Sequence, residues 1–120
     1  MAKKTSSIKI KTITITEKEG TFSTIFSRFK GRKSYDSDIS NLRQLLSNER
    51  ARLIHIIKTK QPDSIYKLAK LLGRDFKSVR HDIRILEKFG VIELISSHKN
   101  GRELLKPIID TDQIQIKINL

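Results

Sequence analysis

The sequence predicts an α+β fold, mostly α, on the basis of three observations. Apolar residues recur at helical spacing over residues 39–89, an Asn-Gly pair separates two apolar runs that follow, and isoleucines alternate with polar residues at both chain ends. A chain of 120 residues can bury one modest core and still carry a terminal extension. We therefore predict a helical core with a β-hairpin, an N-terminal strand-helix extension and a C-terminal strand.

The N-terminal extension, residues 1–38, begins with a predicted strand. Ile8, Ile10, Ile13 and Ile15 lie among Lys and Thr residues, and the alternation changes phase after Ile10, which indicates a bulge or break there. A short strand of this kind needs a partner, because an unpaired edge promotes aggregation.

A Phe-rich segment follows in the same extension. Phe22, Ile25, Phe26 and Phe29 have the i, i+3, i+4, i+7 spacing of an amphipathic helix, and Gly31 can end that helix. Such a stripe is more often core or dimer interface than a ligand pocket. The polar residues from 31 to 38 are predicted to be a linker.

The predicted main domain, residues 39–109, opens with helical spacing from Ile39 to Leu46. Asn48 can cap the next helix, which Pro62 ends. A third helix can be capped by Asp63 or Ser64.

A tight turn then leads into a longer basic helix at about residues 75–89. Gly73 suits the left-handed conformation that ends the preceding helix, and Asp75 can cap the basic helix. Val79, Ile83 and Leu86 form its inward stripe. The outward face of its N-terminal half carries Lys77, Ser78, Arg80, His81 and Arg84.

A hairpin follows, with strands predicted at residues 91–97 and 104–109. Asn100-Gly101 favours a type I′ turn because both central positions require positive φ, and Lys99 and Arg102 then flank the tip. In the C-terminal segment, residues 110–120, four apolar residues alternate strictly with polar ones and predict a half-buried strand. Its expected partner is the N-terminal isoleucine run of the same chain or of a second copy.

The charge balance indicates a polyanionic partner. The chain has 25 Lys and Arg against 13 Asp and Glu, a formal net charge of +12. Nucleic acid is the first candidate and an anionic membrane surface the second, while a merely soluble basic protein is the alternative without a partner. No cysteine is present, and no apolar run approaches a membrane span or a signal peptide, so we expect a cytoplasmic protein.

Two helices joined by a tight turn and followed by a hairpin have the order of a helix-turn-helix with a wing, which indicates double-stranded DNA. The basic helix can enter the major groove, where the five outward side chains named above can contact base edges. Lys67, Lys70 and Arg74 are expected on the phosphate backbone. Lys99 and Arg102, in a wing at about residues 97–104, are expected on the adjacent minor groove or backbone.

No catalytic or metal motif is apparent. The three histidines, His55, His81 and His98, lack the spacing of a metal pair, and there is no phosphate-binding glycine loop or nucleophile elbow. We expect neither an enzyme nor a bound metal or cofactor.

The block from Asn48 to Pro107 resembles winged helix-turn-helix transcriptional regulators of the MarR and ArsR kind. The likeness is carried by Leu68-Ala69-Lys70-Leu71-Leu72-Gly73 and by Leu86-Glu87-Lys88-Phe89-Gly90-Val91-Ile92. It implies DNA contacts on Lys77, Ser78, Arg80, His81 and Arg84. Phe76 stands where relatives often carry a polar residue, which implies an apolar contact, for example with a thymine methyl.

A narrower likeness is carried by residues 64–69, 73–75 and the closing alternation of residues 114–120. These stretches are similar to a family of small archaeal and bacterial DNA-binding proteins, some of which are the antitoxin and autoregulator of a toxin-antitoxin pair. The resemblance implies a toxin protein as an alternative partner.

We therefore predict a sequence-specific transcriptional regulator that binds double-stranded DNA as a homodimer. The expected dimer surface comprises Phe22, Ile25, Phe26, Phe29, Ile114, Ile116 and Ile118. The alternatives are an antitoxin that represses its own synthesis and a non-specific nucleic-acid or chromatin binder.

Overall fold

The computed structural model describes residues 8–25, 33–34 and 36–120, which form four helices and six strands. The elements are β1 (Ile10–Lys18), β2 (Thr21–Ile25), β3 (Lys33–Ser34), α1 (Asp36–Leu45), α2 (Asn48–Lys60), α3 (Ile65–Leu72), α4 (Phe76–Lys88), β4 (Glu93–Lys99), β5 (Arg102–Ile108) and β6 (Gln113–Asn119). One sheet has the order β3-β2-β1-β6 and the other pairs β4 with β5. The α+β class is confirmed, with a larger share of strand than predicted. None of the described helices is long and apolar enough to cross a membrane.

The N-terminal part is a hairpin, so the predicted helix over Phe22–Phe29 is wrong where the structure describes it. Residues Thr21–Ile25 form β2, which pairs antiparallel with β1. Glu19 and Gly20 both have positive φ, 53° and 82°, as a two-residue turn between twisted strands requires. Threonine and isoleucine favour the strand, and this pairing outweighs the helical spacing of the phenylalanines. The end of the predicted helix, with Phe26 and Phe29, lies outside the described residues.

The C-terminal strand pairs within the chain. β6 runs parallel to β1 in an unbroken register from Ile10 opposite Gln113 to Thr16 opposite Asn119. The bulge predicted after Ile10 is therefore wrong. The isoleucine run changes phase because its two parts face opposite sides of a continuous strand. Ile8 and Ile10 are exposed, whereas Ile13 and Ile15 are buried.

A polar clamp joins the starts of these two strands. The backbone N–H of Lys9 donates to the Asp112 carboxylate at 2.9 Å, and Asp112 N–H donates to the Lys9 carbonyl at 2.8 Å. Lys9 Nζ donates to Asp110 at 2.6 Å, and this hydrogen bond raises the pKa of Lys9. The clamp fixes the parallel register, although the exposed ion pair adds little stability.

The sheet formed by β1 and β6 is amphipathic and only partly covered. Ile13 and Ile15 are buried, and they lie opposite Ile116 and Ile118 of β6. Because directly opposite residues share a face, all four point to the core side of the sheet. Ile116 and Ile118 are nevertheless 39% and 55% exposed, so the apolar face extends beyond the cover of the helices.

One hydrophobic core joins the sheet to the four helices. Ile13 and Ile15 belong to the same buried cluster as residues of α1–α4, including Leu53, Leu68 and Ile83. Segments assigned to the extension and to the main domain thus share a core. Part of the predicted linker is structured, since residues 33–34 form β3 and α1 begins at Asp36, before the predicted start at Ile39.

The N-terminal cap of α2 differs by one residue from the prediction. Ser47, and not Asn48, caps α2, and its Oγ accepts a hydrogen bond from the Arg50 N–H at 3.2 Å. Gln61, at φ 48°, ends the helix directly before Pro62. Both residues can serve as caps, so sequence alone does not separate them.

Candidate nucleic-acid interface

α3 and α4 are joined by a short turn that local side chains define. Ser64 caps α3 by accepting a hydrogen bond from the Lys67 N–H at 3.0 Å. Gly73 ends the helix in the left-handed conformation, at φ 66°, and Asp75 caps α4 by accepting from the Ser78 N–H at 3.0 Å. The predicted Gly73 and Asp75 roles are confirmed, and of the two alternatives for the first cap, Ser64 is the one used.

The face of α4 opposite the core carries the predicted base-contacting side chains. Val79, Ile83 and Leu86 are fully buried, as the inward stripe requires. The side chains of the opposite face are exposed and comprise Lys77, Ser78, Arg80, His81 and Arg84. The N-terminal half of this helix therefore presents several hydrogen-bond donors to solvent on one side.

The positive character of this face ends within the helix. Arg80 and Arg84 lie one turn apart, whereas Glu87, in the last turn, is an exposed acid close to the same row. An anionic ligand is therefore favoured toward the start of α4. This is the end from which a helix in the major groove contacts base edges.

A buried carboxylate that the sequence analysis missed holds the helices together. Asp82, which is 3% exposed, accepts from Arg50 Nη2 at 2.6 Å and from Arg74 Nη1 at 2.8 Å. Arg50 Nη1 also donates to the Gln44 carbonyl at 3.2 Å, while its buried Nε has no hydrogen-bond partner. The sequence contains a signal for this ion pair, because Asp82 occupies an inward position of α4 and Arg50 an inward position of α2.

The three cations predicted on the DNA backbone have different surroundings. Lys67 is exposed in the first turn of α3. Lys70 is also exposed, and its Nζ lies 5.4 Å from the centre of the Tyr66 ring. Arg74 is held by Asp82, and its side chain is only 25% exposed. Lys67 and Lys70 are thus open to a ligand, and Arg74 has a structural partner as well.

An exposed aromatic pair lies at the junction of α3 and α4. The ring centroids of Tyr66 and Phe76 are 6.1 Å apart at an interplanar angle of 49°. Tyr66 is 62% exposed and Phe76 is 38% exposed. The pair places an apolar patch beside the donors of α4. An apolar contact was predicted for Phe76 but not for Tyr66.

The hairpin of β4 and β5 has the predicted turn. Asn100 and Gly101 have φ values of 54° and 77°, and Lys99 lies opposite Arg102, so the cations flank the tip. Lys99 Nζ lies 3.9 Å from the carboxylate of Asp63, directly before α3. β5 packs against α2 and α3. The hairpin tip is thereby placed near the start of α3 and its Lys67.

The predicted dimer residues fall into three groups. Ile116 and Ile118 are exposed on β6, and Phe22 is exposed on β2. Ile114 packs partly against the core. Ile25 lies in β2, and Phe26 and Phe29 lie outside the described residues.

Within residues 8–25, 33–34 and 36–120, no group of three His, Asp or Glu side chains is placed to hold a metal ion.

Comparison with known proteins gives one match. The model of the family HVO_A0114 matches residues 45–116, which include α2–α4, the hairpin and the first part of β6. No curated protein and no solved structure matches the chain.

Proposed function

The chain belongs to the HVO_A0114 family, and we propose that it is a sequence-specific regulator that binds double-stranded DNA through a winged helix-turn-helix. The observation that carries the proposal is the exposed donor face on the N-terminal half of α4, presented by the α3-turn-α4 unit. An α-helix fits the major groove, and side chains near its N-terminus reach base edges there.

The chemistry of this face suits base recognition. Arg80 and Arg84 can each donate two hydrogen bonds to O6 and N7 of guanine, the commonest specific contact in the major groove. Ser78 and His81 lie together on one flank of this row of arginines, where they can contact bases or phosphates. The adjacent Lys77 adds a point charge without a fixed geometry.

Cations around the start of α3 supply the expected phosphate contacts. Lys67 is exposed there, and the 3.9 Å approach of Lys99 to Asp63 brings the hairpin tip to the same region. Arg102 lies opposite Lys99 at that tip. Phosphate contacts from two elements fix the register of a reading helix without contributing to sequence choice.

We further propose that the protein is a homodimer joined at β6. β6 is an outer strand of the four-stranded sheet among the described residues, and it carries Ile116 and Ile118 exposed on the core side. Antiparallel pairing of two β6 strands centred on Ile116 would place Ile114 opposite Ile118 and Lys117 opposite Gln115. This register joins apolar side chains and keeps the two lysines apart, as cross-strand pairing requires.

The function is tested by selecting bound duplexes from random DNA with the full chain. We expect an enriched inverted repeat whose half-sites are ~34 Å apart, because a two-fold dimer places two helices in successive major grooves. The double substitution Arg80→Ala and Arg84→Ala should abolish binding to the selected duplex in a gel shift at fixed salt. Retained affinity would overturn the assignment of the α4 face.

A charge-matched control separates this face from the general positive charge. Lys18→Ala with Lys60→Ala also removes two exposed cations, but from β1 and α2. This variant should keep its preference for the selected duplex over unrelated DNA by a factor of ~10³ or more. If the protein binds DNA but selection enriches no sequence, it is a backbone binder and the proposal fails, and the proposal fails equally if no DNA is bound.

A further inference from the structure

We infer that Phe76, supported by Tyr66, recognises the 5-methyl group of a pyrimidine in the major groove, and so determines part of the sequence specificity. The inference rests on the proposed function and assigns to one apolar side chain a role distinct from that of the arginines.

Phe76 is a partly exposed phenylalanine that lies outside the buried core cluster. It is the first residue of α4 and is 38% exposed, whereas Val79, Ile83 and Leu86 on the same helix are fully buried. Leaving apolar ring surface in water is unfavourable, and covering it on binding is correspondingly favourable. The uncovered part of the ring is therefore available to an apolar group of a ligand.

Tyr66 limits the directions in which the Phe76 ring can turn. The two rings lie 6.1 Å apart in a tilted arrangement, which is within the range of favourable aromatic pairs. Lys70 Nζ lies over the Tyr66 ring, 5.4 Å from its centroid, and this cation–π contact favours that position of the ring. A side chain held in place before binding loses less conformational freedom when it meets a ligand.

Phe76 lies on the same row of the helix surface as the arginine donors. Arg80 is four residues further along α4 and Arg84 eight, so the three side chains follow one i, i+4 row. Four residues advance a helix by about 6 Å, while neighbouring base pairs are about 3.4 Å apart. When Arg80 contacts a guanine, Phe76 reaches a base pair one or two steps away.

The major groove offers one apolar group that such a ring can recognise. Thymine carries a C5 methyl there, and the other edge atoms are hydrogen-bond donors and acceptors. 5-Methylcytosine presents the same methyl at the same position. The shared ligand chemistry is therefore a 5-methylpyrimidine, and the two sources are separated by experiment.

The test uses the duplex selected by the wild-type protein. Each thymine is replaced in turn by uracil, which removes only the methyl, and affinity is measured by fluorescence anisotropy at fixed salt. We expect one position in each half-site where the loss of the methyl lowers affinity about fourfold. Phe76→Ala should bind the thymine and uracil duplexes equally at that position.

Cytosine and 5-methylcytosine at the same position form the second arm. If the methyl is the recognised group, 5-methylcytosine should bind about fourfold more tightly than cytosine to the wild-type protein, and equally to Phe76→Ala. A preference for thymine over cytosine that uracil retains, with no gain from 5-methylcytosine, would assign recognition to the O4 carbonyl and overturn the inference.

Leu46→Ala is the matched control, because Leu46 is 73% exposed in the turn between α1 and α2. It should keep the fourfold methyl preference, and circular dichroism should show an unchanged fold for both variants. Sequence-specific binding with no methyl effect, or a methyl effect that survives Phe76→Ala, overturns the inference alone. The absence of any sequence-specific binding overturns the proposed function as well.

Discussion

Asp82 connects three parts of the chain through one buried carboxylate. Its two oxygens accept from Arg50 on α2 and from Arg74 in the turn before α4, at 2.6 and 2.8 Å. Arg50 extends the network to the end of α1 through the Gln44 carbonyl. The orientation of α4 relative to the other helices is therefore fixed by charge and hydrogen bonds as well as by apolar packing.

Asp82→Ala should destabilise the protein by about 3–5 kcal/mol, because it leaves the largely buried Arg50 guanidinium without its counter-charge. The measurement is urea unfolding, where the midpoint should fall while the slope stays constant. A loss below about 1 kcal/mol, the value of a surface pair, would contradict this account.

The double variant Arg50→Met with Asp82→Leu separates the two effects of the pair. Because a buried ion pair is expensive to desolvate, apolar replacement of both partners should recover most of the stability that Asp82→Ala loses. Arg74 loses its partner in this variant, but its side chain is 25% exposed and can turn to water. If the double variant were less stable than Asp82→Ala, the unpaired charge of Arg50 would not be the cause of the loss in the single variant.

Lys67 and Arg80 should affect DNA binding in different ways. Lys67→Ala removes an exposed cation that we propose contacts phosphate, so affinity should fall by a similar factor for all sequences and the salt slope should decrease by about 0.9. Arg80→Ala should instead relax the preference at one base pair by about 1–3 kcal/mol. Binding titrations at several salt concentrations, with selected and altered duplexes, measure both. If Lys67→Ala lost the preference at a base pair, Lys67 would contact a base and not a phosphate, and the assignment would be wrong.

At the scale of the element, the α3-turn-α4 unit depends on one left-handed residue. Gly73 has φ 66°, and a Cβ at that position would meet no atom within 4 Å. Any cost of substitution is therefore conformational and not steric crowding. The turn fixes how α4 is presented, so its conformation matters to the proposed interface.

Gly73→Ala should cost about 1 kcal/mol, because alanine disfavours the left-handed region, and should lower the melting temperature by about 4 °C. Gly73→Asn should cost less, since asparagine tolerates this conformation. Thermal unfolding followed by circular dichroism compares the two variants. Equal losses would show that the backbone conformation is not the cause.

The two hairpins differ in how clearly the sequence specifies them. Asn100-Gly101 stands between two apolar runs and predicts its turn directly. Glu19-Gly20 makes an equivalent turn, but glutamate is a poor residue for positive φ. The Gly20 N–H donates to the Glu17 carboxylate at 2.9 Å, a contact that supports this turn. The first hairpin was therefore not predicted, because its turn signal is weak and the phenylalanines that follow have helical spacing.

At the scale of the whole molecule, the uncovered part of the β1–β6 sheet determines the proposed assembly. Ile116 and Ile118 are exposed on the face where Ile13 and Ile15 are buried. Phe22 lies opposite Glu17, and Glu17 is two residues after Ile15 in the same strand. Phe22 is therefore on the same face of the sheet as Ile13, Ile15, Ile116 and Ile118. A second copy joined at β6 would extend this apolar surface across the two-fold axis.

Ile116→Lys should convert the proposed dimer to a monomer. Pairing centred on residue 116 would bring the two introduced lysines together, and such like charges weaken association by about a hundredfold or more. Sedimentation equilibrium of the full chain measures the change. Thr12→Lys is the control, because Thr12 is an exposed residue of β1 that lies away from the outer edge of β6. A wild-type monomer, or an Ile116→Lys variant that remains dimeric, would contradict the β6 interface.

The sequence by itself determined the helices of the main domain, the turn between α3 and α4, and the hairpin after them. Gly73, Asp75 and the Asn100-Gly101 pair were predicted correctly, and Ser64 was one of two predicted alternatives. Caps and turns depend on contacts between residues at most four positions apart. Such contacts leave a signal that a single sequence contains. The outward side chains of α4 follow from the same helical periodicity.

The tertiary structure alone decided three other features. The sequence offered the isoleucine run of β1, in the same chain or in a second copy, as the partner of β6, and the structure decides that the pairing is parallel and within one chain. It also decides that Asp82 contacts Arg50 and Arg74 and that Tyr66 meets Phe76. The partners of each contact are separated by eight residues or more, and local spacing does not specify which distant residue a side chain will meet. β2 belongs with these features, because its pairing with β1 overrides the helical pattern of its own sequence.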